Sequence, residues 1–271
     1  LSREQVLAPA IRLAREGFAM TERTHRMLNS SRTRDRMLRY RASADLFYPE
    51  GTAFPPGKIF RQPELANTLE LIAKNGRAGF YDGEVADHLV TEMKRGGGII
   101  RPIDLKTYRC VERDPIRFKT ESGSAITMPP PSSGGVCLAQ ISRMMENARI
   151  QVSEAGSSRH LHWMAESMRR SFADRNTWLG DPDFVDCYLE RLLDPEYLSE
   201  KAASIQPEEA TPSTSLVSEE TLPKESEQTT HYSVVDKHGN GVAVTTTLNG
   251  SFGSKVLVPG AGFLLNNEMD D

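Results

Sequence analysis

Hydroxyl side chains that face one another across a β-hairpin are the first feature of this 271-residue chain that could do chemistry. The stretch Thr229–Asn249 reads TTHYSVVDKHGNGVAVTTTLN. Two runs rich in Val, Thr and Tyr flank Lys237-His238-Gly239, a hairpin signature. With Gly239 in the left-handed position of a three-residue loop, the hairpin centres on His238. Thr229 then lies opposite Thr247. Side chains alternate between the faces of a strand. One face carries Thr229, His231, Ser233, Ala243, Thr245, Thr247 and Asn249. The other carries Tyr232, Val234, Val242, Val244 and Leu248, which are expected to pack into a core. A polar face with paired hydroxyls suits a reaction centre. A half-solvated sheet face is the plainer alternative, and the alternation alone favours it.

The elements that must carry this hairpin follow from periodicity. Ser2 with Gln5 forms a capping box ahead of a helix that runs to Gly17. Arg23–Leu38 is polar and basic and reads as a second helix with a broken middle. Phe47–Gly57 is a loop rich in Pro and Gly. Leu65–Lys74 is a helix ended by Gly76 and Gly79, and Val85–Lys94 is another, closed by Gly96-Gly97-Gly98. Tyr108–Glu112 and Ile116–Thr120 alternate around Asp114-Pro115 and read as a strand pair, with a further short strand at Ala125–Met128. Pro129–Gly135 is expected to be a rigid turn feeding a helix from Val136 to Ala148. A cap from Ser132 or Ser133 with an anion at the helix start is the alternative. His160–Arg175 is a helix with Leu161, Met164, Ala165, Met168 and Phe172 on its apolar side. A short helix lies within Arg191–Ala203. Ser204–Gln228 is rich in Glu, Ser, Thr and Pro and holds no aromatic residue, the composition of a flexible linker.

Composition narrows the function classes. The formal net charge is −4 and the isoelectric point about 5.9, so the chain as a whole has no basic footprint for nucleic acid. Hydrophobic residues make up 38% and charged residues 26%, as in ordinary soluble proteins. No apolar run approaches the roughly 20 residues of a membrane span. No signal peptide is visible at Leu1. Cys110, Cys137 and Cys187 form neither a CxxC pair nor a disulfide framework and read as buried thiols. His160 and His162 diverge on a helix and lack further ligands, so no metal site is expected.

The hairpin sequence, followed by FGS and GFLLNNEMDD, resembles the start of the small subunit of gamma-glutamyltransferases (gamma-glutamyltranspeptidases). PPPSSGG at Pro129–Gly135 and FADRNTWLGDPDFVD at Phe172–Asp186 resemble large-subunit segments of that family. The resemblance implies an α+β N-terminal-nucleophile hydrolase with four αββα layers. It divides the chain into a large-subunit portion (1–203), a linker (204–228) and the start of the small subunit (229–271), truncated at both ends. It implies self-cleavage between Gln228 and Thr229, for which a flexible upstream segment is suited. The new α-amino group, with a reference pKa of about 8, would serve as general base for the Thr229 hydroxyl. Thr247 would orient that hydroxyl. Asn249, Glu268 and Asp271 would bind the substrate's α-ammonium, the carboxylates through charge-assisted bonds.

Glutathione and related gamma-glutamyl amides are the implied donors. An amino acid, a peptide or water is the acceptor, and the cleaved subunit is the chain's own partner. No metal or organic cofactor is implied, and the location is periplasmic or extracellular. The family's carboxylate-binding Arg is expected upstream of Leu1, and its paired serines and Gly-Gly oxyanion hole downstream of Asp271. The SSGG at Ser132–Gly135 is a different segment. Two alternatives stand. One is a glutaryl or β-lactam side-chain acylase on the same scaffold, against which Asp271 argues because such donors carry no ammonium. The other is a non-catalytic relative.

Overall fold

The computed structural model describes residues 1–120, 123–151, 154–216 and 229–268. Two compact units divide the chain: Leu1–Arg109 with Glu225–Asp271, and Cys110–Lys224. The first is therefore discontinuous in sequence. Among the described residues no helix is long and apolar enough to cross a membrane.

The first unit opens with α1 (Arg3–Glu16), and Ser2 and Gln5 form the expected capping box. A two-residue strand, β1 (Phe18–Ala19), follows. The basic segment forms α2 (Glu22–Asn29) and α3 (Ser31–Met37), broken at Ser30, whose hydroxyl accepts the Thr33 N–H. Then come α4 (Arg41–Phe47) and β2 (Ile59–Phe60), which pairs antiparallel with β1. Next are α5 (Pro63–Asn75) and α6 (Ala78–Tyr81). Gly76 caps α5, but Gly79 lies inside α6, where an added Cβ would sit 2.1 Å from the Leu71 carbonyl oxygen. Last are α7 (Glu84–Gly96), closed by left-handed Gly97, and α8 (Pro102–Thr107).

The C-terminal segment completes both cores of this unit. Phe252 and Leu264 pack on the cluster around Leu28, Met37, Phe47 and Phe60. Val258 and Ala261 are fully buried with Val85, Leu89 and Leu105. Polar bonds fix the same junction. Ser43 Oγ donates to the Lys255 carbonyl at 2.6 Å and accepts the Leu257 N–H at 3.0 Å. Thr68 Oγ1 donates to the Ala261 carbonyl at 2.7 Å. Gly262, at φ +72°, comes so close to α5 that an added Cβ would lie 2.3 Å from the Leu65 nitrogen.

In the second unit, β3 (Ile116–Thr120) pairs with β4 (Gly123–Thr127). The strand pair expected between 108–112 and 116–120 does not form. The Tyr108 carbonyl is instead held by guanidinium groups, Arg77 Nη2 at 2.8 Å and Arg109 Nη1 at 2.7 Å. Among the described residues four α-helices follow: α9 (Gly134–Ala148), α10 (Ser158–Trp178), α11 (Leu189–Leu192) and α12 (Pro195–Ala203).

Helix α10 reverses the face expected of it. Leu161 and Met168 are exposed, whereas Glu166, Ser167, Arg170, Ser171 and Asp174 are buried. Burying charge is costly unless partners compensate, and they do here. Arg170 Nη1 meets Glu166 Oε2 at 2.6 Å. Asp174 accepts bonds from Gln140 Nε2, Tyr197 Oη and Lys201 Nζ. The beginning of the expected linker is part of this network. Ser204 and Thr211 bond to Arg170, and Thr211 also bonds to Glu166. The first half of that acidic stretch is thus fastened to α10, with Ile205 buried beside it. Cys137 and Cys187 are buried free thiols as expected, but Cys110 is exposed.

Candidate active site

The hairpin is formed by β5 (Thr230–Val235) and β6 (Gly241–Thr246) in the register Thr230↔Thr246 through Val235↔Gly241. This is the pairing centred on His238, with Gly239 left-handed at φ +83°. Asp236 builds the turn. Its carboxylate accepts the N–H groups of His238 at 2.8 Å and Asn240 at 2.9 Å, and the Asn240 Nδ2 at 2.8 Å. The Asn240 side chain and these backbone donors hold Asp236 below the usual carboxylate range. Thr229 precedes β5 directly and is exposed, and Thr247 follows β6 directly. The last pair of the ladder, Thr230↔Thr246, brings both to one end of the hairpin.

The polar face of the hairpin is bonded within itself. His231 Nδ1 lies 2.7 Å from Thr245 Oγ1, and Ser233 Oγ lies 3.3 Å from His231 Nε2. The other face does not pack into a core as expected. Tyr232 is 51% and Val234 57% exposed, because among the described residues the sheet consists of these two strands alone.

Beyond β6 the chain turns sharply. Thr247 Oγ1 accepts the Asn249 N–H at 2.8 Å. Asn249 is buried and left-handed at φ +65°. Its Nδ2 donates to the Asn267 carbonyl at 3.1 Å, while Asn267 Oδ1 accepts the Gly250 N–H at 2.9 Å. The Asn267 N–H returns to the Leu248 carbonyl at 3.1 Å. This double lock brings Thr247, Asn249 and the segment bearing Glu268 to one end of the hairpin. Glu268 is exposed, and its N–H donates to Asn266 Oδ1 at 3.0 Å. Gln228 and Asp271 lie outside the described residues.

Sequence reading missed Asn267, although the Asn266-Asn267 pair was its visible signal. It also missed Lys255, a buried lysine at φ +72° whose Nζ donates to the Gly253 carbonyl at 2.6 Å. No residue type announces that conformation. Among the described residues no cluster of His, Cys, Asp and Glu could hold a metal ion. His162 Nε2 instead contacts the Gln206 carbonyl, and the Gly156 N–H donates to His160 Nδ1. Ser133 does not cap α9 through its side chain. Its hydroxyl accepts from Arg175 Nε at 3.0 Å, in keeping with a structural turn.

The family profile described as Gamma-glutamyltranspeptidase matches residues 1–271. The chain belongs to this family. The glutathione hydrolase proenzyme of Pseudomonas sp. (strain A14) is 43% identical over 270 residues, which is 100% of this chain and 47% of that protein. The crystal structure of Helicobacter pylori gamma-glutamyltranspeptidase superposes with a TM-score of 0.75 at 38% identity, covering 79% of this chain and 61% of that one. Cephalosporin acylase from Bacillus halodurans superposes with a TM-score of 0.83 at 25% identity, covering 100% of this chain and 48% of that one. The fold is thus the α+β fold of N-terminal-nucleophile hydrolases. The chain spans about half the length of the curated relatives it matches.

Proposed function

We propose that this chain carries the nucleophile-bearing part of a gamma-glutamyl hydrolase and transferase that acts on glutathione-like amides. The observation that supports the reading is the hairpin register, whose last pair, Thr230↔Thr246, directly adjoins Thr229 and Thr247. Hydrolysis of the Gln228–Thr229 peptide bond would free the Thr229 amine. That amine takes the hydroxyl proton as Thr229 Oγ attacks the gamma-carbonyl carbon. The C–O bond forms, the amide C–N bond breaks, and the proton passes to the departing amine. Water, or the amine of an amino acid or peptide, then cleaves the gamma-glutamyl ester and regenerates the hydroxyl. Thr247 orients Thr229. Asn249, Glu268 and Asp271 receive the donor's α-ammonium, for which carboxylates are suited partners.

Mass analysis of the purified full-length protein tests the maturation step. Two fragments that meet at Gln228–Thr229 are expected, and Thr229→Ala is expected to leave one polypeptide. A folded wild-type protein that stays intact on long incubation would reject the reading. The likeness to cephalosporin acylase favours a second reading, side-chain acylase activity. Faster turnover of a glutaryl anilide than of the matched gamma-glutamyl anilide would select it.

A further inference from the structure

Asn267 holds three consecutive residues beyond β6 at once. Its N–H donates to the Leu248 carbonyl at 3.1 Å, its carbonyl accepts from Asn249 Nδ2 at 3.1 Å, and its Oδ1 accepts the Gly250 N–H at 2.9 Å. The side chain lies against Gly250, where an added Cβ would come 3.2 Å from Asn267 Oδ1. These bonds fix more than the path of the chain. A carbonyl oxygen only accepts, so the group of Asn249 that faces Asn267 is its NH2. The amide is planar, and its oxygen is therefore turned to the other side of Cγ. Exchanging the two would set Asn249 Oδ1 against the Asn267 carbonyl oxygen. Asn249 is 4% exposed, so water could not compensate for an amide held in the wrong sense. Its backbone is held as well: the N–H donates to Thr247 Oγ1 at 2.8 Å, and φ is +65°, a conformation that Asn adopts more readily than most residues.

An α-ammonium carries only donors. The oxygen of Asn249 can receive it, and the NH2 opposes it. We propose that Asn267 is a positioning residue for the gamma-glutamyl donor. It sets the sense of the Asn249 amide so that the oxygen is the group offered to the α-ammonium, and it ties Asn249 to the segment in which Glu268 follows. The assignment rests on the gamma-glutamyl chemistry proposed above and gives the ammonium subsite its polarity. It also opposes what charge alone would do. Asn249→Asp places a negative charge beside the ammonium, which by itself should tighten donor binding. Here it sets a carboxylate oxygen against the Asn267 carbonyl oxygen, acceptor against acceptor.

The test measures kcat and KM for a gamma-glutamyl anilide with the full-length protein and its variants. It also measures inhibition by L-glutamate and by glutarate, which differ by the α-ammonium. Asn249→Asp should raise KM about tenfold, and Asn267→Ala, which releases Gly250, about three- to tenfold, with kcat changed by less than about twofold. Asn267→Asp keeps an acceptor for the Gly250 N–H and should return KM to the wild-type value or below. In Asn249→Asp and Asn267→Ala, inhibition by L-glutamate should weaken by the same factor as KM rises, with inhibition by glutarate unchanged. A KM at or below the wild-type value in either of these two variants, or equal weakening of L-glutamate and glutarate, overturns the positioning role while wild-type anilide turnover upholds the parent reading. Absence of wild-type anilide turnover overturns the parent reading, and the positioning role falls with it.

Discussion

Replacing Glu166 with Gln tests whether the buried charges of α10 are held together as the geometry indicates. The carboxylate accepts from Arg170 Nη1 at 2.6 Å, the Thr211 N–H at 3.1 Å, Arg169 Nη1 at 3.3 Å, and the Thr211 hydroxyl. Gln keeps the volume but leaves Arg170, whose side chain is 2% exposed, without its counter-charge. Breaking such a pair costs about 3–5 kcal/mol. Arg170 still donates to Ser204 Oγ at 2.8 Å and to the Ser204 carbonyl at 3.0 Å, so the lower end, about 3 kcal/mol, applies. At this chain length that corresponds to a fall of roughly 6–12 °C in Tm. Protease cleavage within 204–216 should appear at the same time, because Thr211 loses its anchor. The effect has a defined pH dependence. Burial pushes the Glu166 carboxyl up, but the bonds from Thr211 and Arg170 outweigh it and the net shift is downward. A depressed folded pKa contributes stability that is complete above the unfolded value of about 4.3. It is lost as pH falls through that value and then through the folded one. Thermal unfolding followed by circular dichroism should therefore show the wild-type advantage at neutral pH and its closure in acid. A loss under about 1 kcal/mol, or a gap independent of pH, refutes the argument.

Three further outcomes follow from the site and its supports. Ser43→Ala leaves the buried Lys255 carbonyl and Leu257 N–H without a partner and should cost about 2–4 kcal/mol, read as a lowered Tm. Lys255→Gly removes a left-handed penalty of about 1–2 kcal/mol along with the bond to Gly253, and should be nearly neutral in Tm. Lys255→Met keeps the penalty and loses the ammonium, and should lower Tm measurably; a Tm equal to that of the wild type would show the ammonium to be idle. Thr247→Val, close in volume, should slow turnover of a gamma-glutamyl anilide about tenfold with little change in Tm, as the loss of one hydroxyl bond predicts.

The hairpin was legible because two local signals agreed. The turn signal Lys237-His238-Gly239 and the alternation on either side specify one register, and the ladder follows it. The break in the basic helix was legible in outline, and Ser30, whose hydroxyl caps α3, is where it falls. Helix α10 was not legible. Its apolar residues Leu161 and Met168 mark a plausible core face, yet the buried face is the one whose charges meet partners elsewhere in the chain, as Asp174 does with Lys201 (|i−j| = 27) and Glu166 with the Thr211 N–H (|i−j| = 45). Periodicity scores residues singly and is blind to such pairing. The β1–β2 contact escaped notice because Phe18 meets Phe60 with no turn between them to announce it. At the site, Asn249 was visible by type and position. The lock through Asn267 and the left-handed Lys255 depend on tertiary contacts that no short window encodes.

The discontinuity of the first unit has a kinetic consequence. Its cores close only when Val258 and Ala261 reach α7, and when Lys255 and Leu257 reach Ser43, more than two hundred positions earlier in the chain (|i−j| = 212 and 214). While the chain is continuous this is an intramolecular search, whose entropy grows only slowly with loop length. A cut between Gln228 and Thr229 would leave the buried junction intact and so would leave the two pieces together without a covalent link. Once unfolded, however, the same pieces must find each other by diffusion, and recovery becomes second order in concentration. Maturation would thus be nearly invisible to the folded protein, yet convert its unfolding from a reversible event into one that dilution makes final.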